Sequence, residues 1–122
     1  MKRVLVLLLL AACARETPAP PSAPPQPAAA GNAERGRQLA AQYACTACHV
    51  IPGTNGRGTL GPSLAGVASR ARISEDTVAN TTANLQVFIN TPQALNPESA
   101  MPPIGLPDAD AQDITAFLMT LR

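Results

Sequence analysis

The chain has 122 residues, 46% of them hydrophobic but only 2% aromatic, with no Trp, one Tyr (Tyr43) and two Phe (Phe88 and Phe117). Its formal charge of +1 includes Lys2 and Arg3 at the N-terminus; from Cys13 onward seven arginines face eight acids and no lysine remains. That balance argues against nucleic acid as a partner and excludes a lysine-ringed docking face. A small folded part with so few aromatics is short of core material, so something else has to supply apolar bulk.

Lys2 and Arg3 precede an apolar run over residues 4–12, far shorter than the roughly 20 residues needed to span a bilayer. Residues 1–12 therefore read as a secretory signal peptide. The run ends Leu10-Ala11-Ala12-Cys13, which resembles the lipobox of bacterial lipoproteins. That resemblance implies lipidation of Cys13 and a lipid anchor on the periplasmic, extracytoplasmic side of a bacterial membrane. Cleavage after Ala14 is the competing reading and would release a soluble periplasmic protein. Residues 13–30 are dominated by Pro and Ala and form no packed core; in polyproline II they make a tether of roughly 50 Å.

The folded domain is expected over residues 31–122. Residues 33–43 suit a helix with Asn32 as N-cap and Glu34 in the first turn. Gly36 sits inside it at a cost of about 1 kcal/mol against Ala, which is best explained by close approach of another helix. A second helix is expected at 82–90, carrying Leu85, Phe88 and Ile89 on one side and stopping before Pro92. The terminal segment 108–121 puts Ala111, Ile114, Phe117, Leu118 and Leu121 on one face, and packs on the first helix. Segments 51–62 and 91–107 are rich in Gly, Pro and Asn and read as loops. No alternating strand pattern persists, so the fold class is all-α with long loops.

Cys45-Thr46-Ala47-Cys48-His49 is the attachment signature for c-type haem. On one helical turn, thiols three apart reach the two vinyl groups and the adjacent imidazole points at the iron. A thiol–disulfide pair, half of a zinc site and a structural disulfide compete with this reading. The first expects a βαβ scaffold and the second needs more ligands than Cys45, Cys48 and His49 supply. One covalent haem c also answers the shortage of apolar bulk. His49 is the only histidine, so the second axial position falls to Met101, Met119, Tyr43 or none. Met101 is favoured: it lies in a loop stiffened by Pro102 and Pro103, whereas Met119 lies on an amphipathic helix where methionine ordinarily packs. His/Met ligation closes the iron to substrate and points to electron transfer. No separate catalytic constellation is visible.

With these residues the segment 31–122 resembles the small class I bacterial cytochromes c. The resemblance rests on Asn32-Ala33-Glu34-Arg35-Gly36-Arg37, the haem signature, Gly61-Pro62-Ser63-Leu64, Met101-Pro102 and Ala116-Phe117-Leu118. It implies the small cytochrome c fold, with N- and C-terminal helices packed around a covalent haem and Gly36 lying against the terminal helix near Phe117. It also implies that the Pro62 carbonyl accepts the His49 Nδ1 proton and fixes the tautomer. More narrowly, residues 61–70, 84–89 and 91–93 look like the cytochrome c domain of caa-type oxidase subunit II, without its copper-centre domain. The departure is Pro107, where relatives usually have a Ser/Thr cap. The expected function is a membrane-tethered mono-haem carrier of single electrons between respiratory partner proteins, with a terminal oxidase or a quinol-oxidising complex as partner. The alternatives are a haem enzyme or gas-binding module with a displaceable Met101, and a fixed haem subunit of a larger oxidoreductase.

Overall fold

The computed structural model describes residues 31–122; the expected signal peptide (1–12), the expected lipidation site Cys13 and the expected linker (13–30) lie outside the described residues. Four helices carry the fold: α1 (Ala33–Gln42), α2 (Cys45–Cys48), α3 (Thr82–Asn90) and α4 (Asp108–Leu118). Among the described residues no helix is long and apolar enough to cross a membrane.

Helix α1 begins where the Asn32 side chain accepts the Arg35 N–H at 2.9 Å, satisfying one of the donors that a helix start leaves free. Its buried face, Gly36, Leu39 and Ala40, lies on α4. A Cβ on Gly36 would collide with the Asp113 carbonyl and stand 2.9 Å from the Ile114 nitrogen. The two backbones thus touch at Asp113 and Ile114, one turn before Phe117. Ala111, Ile114, Phe117 and Leu118 of α4 join Leu39 and Ala40 in a single core with Ile51, Val67, Leu85, Ile89 and Leu106.

Helix α4 starts at Asp108 with Pro107 in the cap position and no side-chain cap. The Pro107 carbonyl accepts from both Asp110 and Ala111 at 3.0 Å, and Asp108 and Asp110 place negative charge at the positive end of the helix dipole. The helix ends at Leu118, three residues short of the expected Leu121. There the Thr120 hydroxyl donates to the Phe117 carbonyl at 2.6 Å and the backbone tightens into i→i+3 bonds. The Leu121 carbonyl then accepts from Ala68, tying the C-terminal end to a 3₁₀ turn at Val67–Ser69.

Helix α3 occupies the expected 82–90, capped by the Thr81 hydroxyl at 3.1 Å from the Asn84 nitrogen, and packs against α4 through Leu85 and Ile89. Pro92 opens a 3₁₀ turn, Pro92–Ala94, and is itself fully buried. One feature departs from the all-helical expectation. Strands β1 (Arg72–Ile73) and β2 (Val78–Ala79) form an antiparallel hairpin that buries Ile73 opposite Val78. Two residues per strand are too few to show a period of two in the sequence. The fold remains all-α, with a minimal hairpin between α2 and α3.

Candidate cofactor site

Tyr43 ends α1 and Ala44 turns the chain in the left-handed region (φ 58°), so that α2 begins afresh at Cys45. The His49 N–H closes the turn onto the Cys45 carbonyl at 3.0 Å. Cys45 and Cys48 are free thiols on that turn, both half-buried. Burial pushes the Cys45 thiol above its ordinary pKa, and it packs against the core.

The next loop wraps the motif at backbone level. The Gly61 N–H donates to the Cys48 carbonyl at 2.8 Å and the Leu64 N–H to the Val50 carbonyl at 2.9 Å. A Cβ on Gly58 would strike the Ala47 carbonyl, one on Gly56 would stand 2.8 Å from the His49 oxygen, and one on Gly61 would stand 2.6 Å from His49 Nδ1. Gly56 and Gly58 were not singled out by sequence reasoning. They fall with Gly61 at G-x-G-x-x-G spacing, yet the segment is a loop after a helical turn, not a strand-to-helix crossing, so its glycines serve close packing and not phosphate binding.

His49 Nδ1 lies 2.7 Å from the Pro62 carbonyl oxygen. A carbonyl can only accept, so Nδ1 carries the proton and Nε2 keeps its lone pair for a metal. Two free thiols three residues apart, an adjoining imidazole with Nε2 available, and a glycine wall against that ring are the donor set that haem c needs. The remaining sequence candidates, Tyr43, Met101 and Met119, all pack against the core cluster but differ in their surroundings. The Tyr43 hydroxyl donates to Asp110 at 2.6 Å, and that bond raises its pKa. Met119 sits at the C-cap of α4. Met101 lies half-buried in the 91–107 loop, against the core cluster.

An all-α fold around a two-thiol, one-histidine turn defines the class of small mono-haem electron carriers. The cytochrome c family pattern matches residues 33–122, and the chain belongs to that family, with haem c as its cofactor. It is 33% identical over 91 residues to the cytochrome c oxidase subunit 2 of Alkalihalophilus pseudofirmus, covering 74% of this chain and 25% of that protein. It is 34% identical over 89 residues to the cytochrome c-type cyt cy of Rhodobacter capsulatus, covering 63% of this chain and 43% of that protein. The chain thus spans less than half of either relative. Among solved structures, SoxXA from P. pantotrophus has a similar fold (TM-score 0.60, 24% identity, 77% of this chain and 84% of that one). So does cytochrome c2 from Rhodobacter sphaeroides (TM-score 0.54, 20% identity, 75% and 96%).

Proposed function

We propose that the chain is a membrane-tethered carrier that passes single electrons between respiratory proteins, with a terminal oxidase as acceptor. The observation that carries this reading is the His49–Pro62 pair, which presents Nε2 as a fixed metal ligand beside two free thiols. When bound, haem c supplies a one-electron ferric/ferrous couple. Cys45 and Cys48 would hold it as thioethers, and His49 would take one axial position with its tautomer fixed by Pro62. Met101 would take the other, and its thioether would raise the potential and keep small ligands off the iron. The apolar side chains that neighbour the site in sequence, Val50 and Leu60, are 41% and 88% exposed and give a redox partner a desolvatable surface beside the motif.

The oxidase assignment draws on the similarity to an oxidase subunit, of which the match covers 25%. Anchoring draws on the lipobox-like Leu10-Ala11-Ala12-Cys13 and the proline-rich segment after it, which support a domain outside the cytoplasm, held to the membrane through Cys13. A redox titration of the haem-loaded protein and its Met101→Ala variant tests the carrier. The variant is expected to titrate at a lower potential and to bind carbon monoxide at neutral pH, and the parent is expected not to bind it. Equal carbon monoxide binding by both would support a haem enzyme or gas-binding module instead. A mass measurement of the N-terminal peptide tests the anchor: two or three acyl chains on Cys13 are expected, and an N-terminus beginning at Arg15 would overturn it.

A further inference from the structure

Met101 stands in a stretch, residues 100–103, that donates no backbone–backbone hydrogen bond. Pro102 and Pro103 have no N–H to give, and the Met101 N–H makes only a local 3.3 Å bond to the Ser99 hydroxyl. The next backbone tie along the chain is the Ile104 N–H on the Asn90 carbonyl at 3.1 Å. Between them, one side chain reaches the loop from outside. Gln93 Nε2 donates to the Ser99 carbonyl at 2.9 Å and to the Met101 carbonyl at 2.7 Å. Among the described residues the 2.7 Å bond is the one hydrogen bond from Met101 to anything more than two residues away, and the 2.9 Å bond holds the loop two residues before it.

Gln93 is itself well placed to act as an anchor. It sits in the Pro92–Ala94 turn, whose first residue is fully buried and whose carbonyl accepts from both Leu95 and Asn96. That turn continues from α3, the helix packed on α4. The last residue of α3, Asn90, holds the far leg of the same loop: its amide donates to the Leu106 carbonyl at 3.1 Å and accepts the Leu106 N–H at 2.6 Å. Met101 is therefore referenced to the rigid α3–α4 pair at two points, with Gln93 gripping its own carbonyl.

We propose that Gln93 is the positioning residue for the axial thioether, holding the Met101 backbone so that the iron stays closed to added ligands. This rests on Met101 as axial ligand. A ligand entering at that position must displace Met101, so whatever Gln93 contributes to the Met101-in state appears directly as resistance to entry. Two amide–carbonyl hydrogen bonds at their usual net strength set that resistance at roughly tenfold or more.

The test uses the haem-loaded full chain and imidazole as the probe ligand, with Gln93→Leu and Gln93→Glu as variants. Leu removes the donors, and Glu keeps the length but offers only acceptors toward two carbonyls. Arg35→Leu, which weakens the α1–α4 contact and whose side chain bonds only α4 residues, controls for loss of stability alone. Expected are a sulfur-to-iron absorption band that weakens in both Gln93 variants, imidazole binding tighter by roughly tenfold, a lower midpoint potential, and an Arg35→Leu variant unchanged in all three. Gln93 variants with the parent's imidazole affinity and band would overturn the proposal while Met101→Ala still abolished the band. If Met101→Ala itself left band and affinity unchanged, the ligand assignment would fall, and the Gln93 role with it. Should Gln93→Leu fail to accumulate, Gln93→Glu decides the matter by the same measurements.

Discussion

His49 Nδ1 and the Pro62 carbonyl oxygen are 2.7 Å apart, and Gly61, the residue before Pro62, lies against the ring, where its missing side chain leaves the imidazole its space. The orienting group is a backbone carbonyl, so any residue at 62 still offers it. Pro62→Ala should therefore change the midpoint potential little. Gly61→Ala would put a Cβ 2.6 Å from Nδ1 and 2.9 Å from Nε2, so the ring must tilt or the loop must move. The yield of haem-loaded protein is expected to fall by roughly tenfold, the scale on which orienting partners of a metal-bound histidine act. Equal yields from the two variants would show that the glycine is not what makes room for the ring.

Gly36 makes the opposite of a propensity argument. Alanine would gain about 1 kcal/mol as a helix former, yet its Cβ would be driven into the Asp113 carbonyl of α4. Overpacking at a backbone contact costs about 3 kcal/mol when neither helix can yield. Gly36→Ala is expected to lose about 2 kcal/mol net in denaturant unfolding of the haem-loaded protein, with m unchanged. A variant as stable as the parent would mean that α1 and α4 can separate without loss.

The same pair of helices is stapled by charge. Arg35 bonds both Asp110 and Asp113, the Tyr43 hydroxyl donates to Asp110 at 2.6 Å, and the Asn32 N–H donates to Asp113 at 2.7 Å. The Tyr43 hydrogen bond, then Arg35, holds the Asp110 carboxyl below the usual carboxylate range; Arg35, then the Asn32 N–H, does so for Asp113. Below an unfolded value of about 3.9 the unfolded chain binds more protons than the folded one, so stability rises with pH in that window. The contribution is complete above about pH 5 and is lost as pH falls through the folded pKa values. Arg35→Leu should flatten the acid limb of a stability–pH curve, and added salt should flatten the parent's. Parallel acid limbs would remove Arg35 from the account.

What the sequence made legible was local. Asn32 three residues before the Arg35 N–H, the three- and four-residue spacing of Leu85, Phe88 and Ile89, and Cys45-x-x-Cys48-His49 all carry their signal within one or two turns. What escaped was non-local or too short. Gly56 and Gly58 have meaning only once the loop folds back on Ala47 and His49. The Tyr43–Asp110 bond spans 67 residues and leaves no periodic trace. Gln93 reads as a turn residue until its amide is seen on two carbonyls six and eight positions away.

The hairpin escaped for a further reason: its turn contains neither Gly nor Asn, the residues that most readily advertise a left-handed backbone. Ser74, Glu75 and Asp76 are all left-handed, at φ 53°, 55° and 63°, with no glycine among them. Each costs roughly 1–2 kcal/mol for its Cβ against the carbonyl. The turn is held by local bonds, Thr77 to the Ser74 carbonyl through both its N–H and its hydroxyl and Arg72 to the Asp76 and Thr77 carbonyls, and by one distant donor, Asn96 to the Ser74 hydroxyl. Glu75 is exposed and takes part in none of them. Glu75→Gly should therefore relieve strain without breaking a contact. Allowing about 0.5–1 kcal/mol for the greater freedom of glycine in the unfolded chain, a net gain of about 0.5–1 kcal/mol is expected in denaturant unfolding. Glu75→Val, with a branched Cβ in the same region, should lose stability. A Gly variant less stable than the parent would mean that the left-handed turn is not strained at its centre, and that the energy holding Ile73 against Val78 is supplied elsewhere.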